Sequence, residues 1–445
     1  MSGSFRPESF DALVIAGHDW LDGRLELHYT LRGPDPVSFT EVIDFGDSLA
    51  GAAPDPLLSR LLTLTCSLSY FKAAAPPRIE IAFPTHDFER RYLSALIEGG
   101  LGEFAYTNQL PGALTPQIDG PVASGGPRAG DGWDPAATPL VPVGGGKDSV
   151  VSIEAFRRHG VAPMLFSVNR YDPIDRCIEV SGLNSVHVRR IIDRRLIQAN
   201  AEGAYNGHVP VTAINSVIGL IVADANGFGP VVLSNERSSN VGNVEWLGRD
   251  INHQWSKSLA YETLLRDTLA RYGFNPDRYF SLLRGLSESQ IADRFATSGE
   301  YFGVFTSCNR LFALDPSRRA SSWCGHCPKC QFVFVLLAPR LGRPTLEKIF
   351  GRNLFADTGN RDGIADILGV GVHKPFECVG EYYEAAESML AVIDDPQWQG
   401  LELVDEFAVQ RAQLAVVAVN PDPSPAEHHV PERYANLLDT KPIDD

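Results

Sequence analysis

The sequence predicts an α/β protein built on an open parallel sheet with helices on both faces, preceded by an α+β accessory domain. Three observations carry this. From residue 140 onward, short apolar runs alternate with longer helical stretches, the pattern of a parallel sheet. The first of these runs ends in a triple glycine that leads straight into a helix. Earlier in the chain, apolar and polar residues alternate with a period of two, as half-buried strands require.

The elements follow in order. Residues 25–31 and 39–45 alternate as strands, and Gly33-Pro34-Asp35-Pro36 breaks the chain between them. Residues 57–70 are rich in leucine and are expected to form a buried helix; residues 79–83 are expected to form another strand. Residues 1–110 are therefore assigned to the accessory domain. Residues 111–139 contain 12 Gly or Pro and are expected to form a linker or long loop. Residues 140–143, 163–168 and 230–233 are strands of the second unit, and 209–225 includes a strongly apolar helix. This catalytic unit is taken as 140–338, followed by a mostly helical region, 339–419, and a flexible tail, 420–445, rich in proline and charge.

Composition limits the function. The chain has 445 residues, 44% hydrophobic and 21% charged, which is ordinary for a globular protein and excludes disorder as the main state. Thirty-nine basic residues against 55 acidic ones give a net charge of −16. That charge argues against nucleic acid as a partner. Seven cysteines, three of them within seven residues, do not make a disulfide scaffold. The first residues lack the basic and apolar regions of a secretory signal, and residues 213–225 are too short to span a bilayer. A reducing cytoplasm and no membrane partner are the expectation.

The sharpest chemical signal is Pro142-Val143-Gly144-Gly145-Gly146-Lys147-Asp148-Ser149. Glycines let backbone N–H groups approach an anion, and the following helix adds its positive end. Lys147 and the Ser149 hydroxyl suit phosphate oxygens, and Asp148 suits Mg²⁺ on a pyrophosphate. A Walker A loop is excluded, because Val141 and Asp148 stand where that motif needs Gly and Ser or Thr. The segment instead resembles the S-G-G-x-D-S loop of the N-type ATP pyrophosphatases, the PP-loop superfamily, with Gly144 replacing the first serine. The resemblance implies ATP as cofactor, cleaved to AMP and pyrophosphate while a carboxylate or carbonyl oxygen is adenylated. A later strand runs into Asn235, Glu236 and Arg237, at the carboxyl edge where open parallel sheets bind ligands. All three are candidate binding residues.

Cys324, Cys327 and Cys330 form C-x₂-C-x₂-C, with Cys308 upstream. Thiolates at this spacing converge on a tetrahedral metal, so structural Zn²⁺ is the first expectation. His326 is the alternative fourth ligand, and an iron–sulfur cluster or a single catalytic thiol are the alternatives to zinc. Two further segments concentrate proton-transfer chemistry. One runs from Asn252 to Ser258 and holds His253 and Lys257; the other runs from His373 to Gly380 and holds His373, Glu377 and Cys378. Arg189, Arg190, Arg194 and Arg195 form a basic strip, more simply a solvated face than a polyanion site.

Together the glycine loop, Ser-Asn-Glu-Arg at 234–237, Asn-His-Gln-Trp-Ser-Lys-Ser at 252–258 and Cys-Gly-His-Cys-Pro-Lys-Cys at 324–330 resemble the UDP-N-acetylmuramoyl-L-alanyl-L-glutamate epimerases (MurL). The resemblance covers roughly residues 140–385 and a preceding accessory domain. It implies ATP- and Mg²⁺-dependent inversion of the terminal L-Glu of a UDP-linked muramoyl dipeptide. Cys378, His373, His253 and Lys257 are the candidate catalytic residues. A different carboxylate-adenylating enzyme of the superfamily, an amide ligase or a deazaguanine synthase-like protein, is the alternative.

Overall fold

The computed structural model describes residues 5–49, 51–125, 132–312, 319–320, 322–372 and 374–439. Its strands are β1 (Ala12–Leu21), β2 (Arg24–Arg32), β3 (Val37–Asp44), β4 (Arg78–Ile81), β5 (Gln117–Asp119), β6 (Leu140–Pro142), β7 (Met164–Val168), β8 (Ser185–Ile191), β9 (Val231–Leu233), β10 (Val244–Trp246), β11 (Arg249–Ile251) and β12 (Tyr279–Ser281). Ten of them join in one sheet, ordered β12-β9-β6-β7-β8-β3-β2-β1-β4-β5, while β10 and β11 form a separate hairpin. β12, β9, β6, β7 and β8 are mutually parallel. β3, β2 and β1 form an antiparallel meander, and β4 and β5 continue parallel to β1. The result is a mixed α/β protein with a mostly parallel sheet.

The meander joins the parallel half directly. Val42, Ile43 and Asp44 of β3 pair with Ile191, Arg190 and Arg189 of β8. An edge strand presents unpaired backbone groups, and this pairing satisfies them. Strands β1 to β4 thus extend the same sheet. At the start of the expected linker, β5 pairs with β4 and Val122 bridges Thr85. The expected helix at 57–70 forms as Pro56–Cys66 and Leu68–Phe71, broken at Ser67. Asp55 caps it by accepting from the Leu57 N–H at 2.8 Å, and Pro56 suits the first helical turn.

Two apolar cores hold the sheet. One gathers Leu13, Leu27, Leu61, Tyr92, Ile218 and Val231 between the meander and the Val211–Asn226 helix. The other gathers Val141, Ile153, Phe280, Phe334 and Trp398 around the parallel strands and the C-terminal helices. The expected helical region is built of Arg343–Phe350, Arg361–Ile367, Tyr382–Asp394, Glu402–Val409 and Arg411–Val417. The tail differs from expectation up to residue 439. Its 3₁₀ segment Glu432–Leu438 docks Tyr434 against Phe280, with ring centroids 5.2 Å apart, and against Phe156 at 6.1 Å. Burial of Tyr434 and Leu437 outweighs the polar composition of the surrounding chain.

The arginine strip is not one surface. Arg190 is buried, where its guanidinium donates to Glu41 at 2.5 Å and to Ser69 at 2.8 Å. Arg195 folds back on Asp193 at 2.6 Å, and Arg194 and Arg189 are exposed. Among the described residues no helix is long and apolar enough to cross a membrane.

Candidate active site

The glycine loop leaves β6 and enters the helix Lys147–Arg158. Gly145 has φ +77°, and a Cβ there would lie 2.9 Å from the Pro173 carbonyl carbon. Only glycine meets both demands. A Cβ on Gly146 would lie 2.7 Å from Ser307 Oγ, whereas Gly144 faces open space. The Thr306 N–H donates to the Gly145 carbonyl at 2.8 Å and fixes the turn. The Ser149 hydroxyl donates to the Gly146 carbonyl at 3.0 Å, so it shapes the loop. The loop therefore presents Gly144 and the start of a twelve-residue helix to a free volume, the arrangement that receives an anion.

Behind the loop, Lys147 is buried between Asp148 and Glu288, bonded to both. Burial disfavours the Lys147 charge, but these two carboxylates outweigh it and hold its pKa above the usual range. Burial likewise disfavours the Asp148 carboxylate, yet Lys147, Lys329 and Lys257 bring its pKa below the ordinary value. Glu288 moves upward, through burial and through the charges of Asp148 and Glu236.

Lys257 and Lys329 link this loop to a thiol. The Lys257 ammonium donates to Cys378 Sγ at 3.3 Å, and Lys329 donates to the Cys378 carbonyl. The charge of His253 also acts on the sulfur. Burial alone would raise the Cys378 thiol; Lys257, His253 and Lys329 overcome it and bring its pKa down to about 5. Burial also opposes the His253 charge, but Cys378 and Glu103 raise its pKa to about 10. Near neutral pH these shifts favour Cys378 as thiolate and His253 as imidazolium. Glu377 is raised to about 7, by burial first and then by Cys327 and Cys378. Asn309 donates to its carboxylate.

The structure brings together Gly144, Gly145, Gly146, Lys147, Asp148, Ser149, Glu236, His253, Lys257 and Cys378. Glu236 is buried, and its charge reaches Lys257 and Glu288. Asn235 instead ties strand ends together, donating to Ser281 Oγ at 3.1 Å. Arg237 is turned to the tail, where it meets Asp422 Oδ2 at 3.2 Å and the Ser424 carbonyl at 2.9 Å. Its fork is occupied by chain, contrary to the expectation that it faces the loop. His373 lies outside the described residues.

Glu288, Glu103 and His208 went unseen in the sequence, because each is a single residue on a helix or loop without a motif, marked only by the neighbours the fold brings to it. Lys329 was visible inside Cys-Pro-Lys-Cys, but the cysteines drew the assignment.

Cys308, Cys324, Cys327 and Cys330 converge, with their sulfurs all within 4.8 Å of one another. Cys324 and Cys330 are 3.7 Å apart, and Cys327 and Cys330 are 3.5 Å apart. Four sulfurs at the corners of a zinc tetrahedron lie about 3.8 Å apart, given Zn–S bonds of about 2.3 Å. The donor set fits that ion. His326 stands apart, 46% exposed and 3.9 Å from Asp357, so Cys308 is the fourth member of the group.

A parallel-sheet glycine loop beside a partly buried thiol that accepts from a lysine defines an α/β protein with an enzyme's site. The chain belongs to the MurL family: the family model of the MurL N-terminal domain matches residues 5–282, and that of the C-terminal domain matches 304–421. It is 43% identical to a UDP-N-acetyl-alpha-D-muramoyl-L-alanyl-L-glutamate epimerase of Micromonospora sp., over 94% of this chain and 95% of that protein. Proteins of the same name from Salinispora tropica and Xanthomonas oryzae pv. oryzae are 42% and 40% identical. They cover 94% and 84% of this chain, and 93% and 84% of their own lengths. No solved structure matches the chain.

Proposed function

We propose that this protein is an ATP-dependent epimerase that inverts the terminal L-Glu of UDP-MurNAc-L-Ala-L-Glu in peptidoglycan precursor synthesis. The observation that carries the mechanism is that Lys257 and Lys329 serve both Asp148 of the glycine loop and Cys378. The two lysines then couple an anion cradle to a thiolate base.

The chemistry runs in three steps. An α-carboxylate oxygen of the terminal Glu attacks the α-phosphorus of ATP at a loop of PP-loop type, and pyrophosphate leaves. In the acyl-adenylate the carboxylate charge is gone, so the Cα–H bond breaks more easily. Cys378 takes the proton as S–H, and the electron pair moves onto the carbonyl oxygen, where a fixed cation stabilises it. Lys257 is the cation in reach of the thiolate. A proton returned to the opposite face gives the D-configuration, and water releases AMP and the free carboxylate. His373 is the sequence candidate for the second proton transfer.

Gly144, Gly145 and Gly146, with the backbone N–H groups of Lys147 and Ser149, form the phosphate cradle, and the Asp148 carboxylate is the hard oxygen ligand that Mg²⁺ on pyrophosphate prefers. Its side chain is 26% exposed beside the loop. Bound Mg²⁺ would offset phosphate charge. Zinc at Cys308, Cys324, Cys327 and Cys330 would be structural, since four thiolates close the coordination sphere. In this account residues 140–338 carry the nucleotide chemistry. A nucleotide-linked substrate and free thiols fit a reducing cytoplasm.

Incubation with ATP, Mg²⁺ and UDP-MurNAc-L-Ala-L-Glu should yield D-Glu on chiral analysis after hydrolysis, with AMP and pyrophosphate. ADP, a new amide, or Glu that stays entirely L would refute the proposal.

A further inference from the structure

Glu103 lies on the short helix Gly102–Asn108, far in sequence from the motifs described above. Its carboxylate accepts a hydrogen bond from His253 Nδ1 through Oε2. The same oxygen lies 3.7 Å from His208 Nδ1, and the His208 and His253 rings sit with centroids 4.4 Å apart. The His253 backbone N–H donates to Asn243 Oδ1 at 2.9 Å, which fixes the main chain below the ring. Next to His253, Gln254 donates to the Val379 carbonyl at 3.3 Å, and Lys257 donates to Cys378 Sγ at 3.3 Å, so the segment that carries His253 lies against Cys378.

We infer that Glu103, supplied by the N-terminal region, is a positioning residue that orients His253 and keeps it protonated against Cys378, completing a Glu103–His253–Cys378 relay.

This rests on the function proposed above for Cys378. The physical logic is that of any carboxylate behind a catalytic imidazole: it selects the tautomer and stabilises the imidazolium. His208 cannot substitute. Burial, then the nearby positive charges of His253, Lys257 and Lys72, hold its pKa down to about 3, so it packs on His253 as a neutral ring. The groups that face Cys378 are Lys257, His253, Lys329 and Glu377, and those that face His253 are Glu103, His208 and Cys378. Of these, Glu103 is the carboxylate bonded to the imidazole, so its removal acts on the thiolate through His253 alone. The relay also gives the N-terminal region that carries Glu103 a part in chemistry beyond extending the sheet.

The test uses Glu103→Gln and Glu103→Asp in the full chain. Alkylation of Cys378 by iodoacetamide, followed peptide by peptide in mass spectrometry, is measured against pH. In Glu103→Gln the midpoint should rise by about 1 in pH, a nearby charge being worth at least that; Glu103→Asp should restore most of the shift. Epimerisation by Glu103→Gln should fall at least tenfold while AMP formation on the first turnover persists. An unchanged alkylation midpoint overturns the inference. So does a divalent metal found by elemental analysis at one further equivalent in the wild type and lost in Glu103→Gln, because the cluster would then be a ligand set. A shifted midpoint in a wild-type protein that makes no D-Glu would sink the proposed function and leave the relay standing.

Discussion

The Lys257 ammonium lies 3.3 Å from the Cys378 sulfur, and the charge of the same ammonium reaches Asp148 in the glycine loop. The thiol and the loop are therefore electrostatically one site, although 230 positions separate Asp148 from Cys378 (378 − 148).

Replacing Cys378 with Ala should cut exchange of the substrate Cα proton by about 10²–10⁴-fold, the usual share of one proton-transfer group. AMP formation on the first turnover should survive. A rapid-quench assay of AMP beside deuterium incorporation separates the two steps.

The reaction should have an acidic limb near pH 5. Cys378 acts as thiolate, its pKa is lowered to about 5, and the rate falls as pH drops through that value. Lys257→Met removes a cation that favours the thiolate, so the limb should move toward the ordinary thiol range. Rate–pH profiles of both proteins check the direction.

Asp148→Ala should abolish pyrophosphate release at any Mg²⁺ concentration, since the loop loses its carboxylate. Turnover equal to wild type would show that the metal is held elsewhere.

Purified protein should carry about one zinc per chain. Cys324→Ser should lose it and lower Tm by roughly 10 °C, because loss of several kcal/mol shifts a large domain by about 2–4 °C per kcal/mol. Elemental analysis with calorimetry tests both.

Arg190→Met should cost about 3–5 kcal/mol in urea unfolding, because it leaves Glu41 buried and unpaired. Arg190 and Glu41 are 7% and 0% exposed, and their pair spans β8 and β3. A cost near zero would mean the two halves of the sheet are joined by backbone alone.

Local signals made much of this legible. The strands around residues 25–31 and 39–45, the triple glycine and the cysteine spacing each state their geometry within a few residues. The β3–β8 junction was not legible, because strand pairing between distant segments leaves no local trace. The partner of Arg237 was not legible for a related reason: its position after β9 is set locally, but Asp422, which it meets, arrives from the tail. Glu103 and His208 were invisible because a lone carboxylate or histidine becomes informative only once burial and neighbours are known.

The central claim is that activation precedes proton removal at Cys378. The direct measurement is mass spectrometry of product Glu formed in D₂O with and without ATP. The account predicts one deuterium at Cα with ATP and none without it. Deuterium entering at the same rate in the absence of ATP would contradict it.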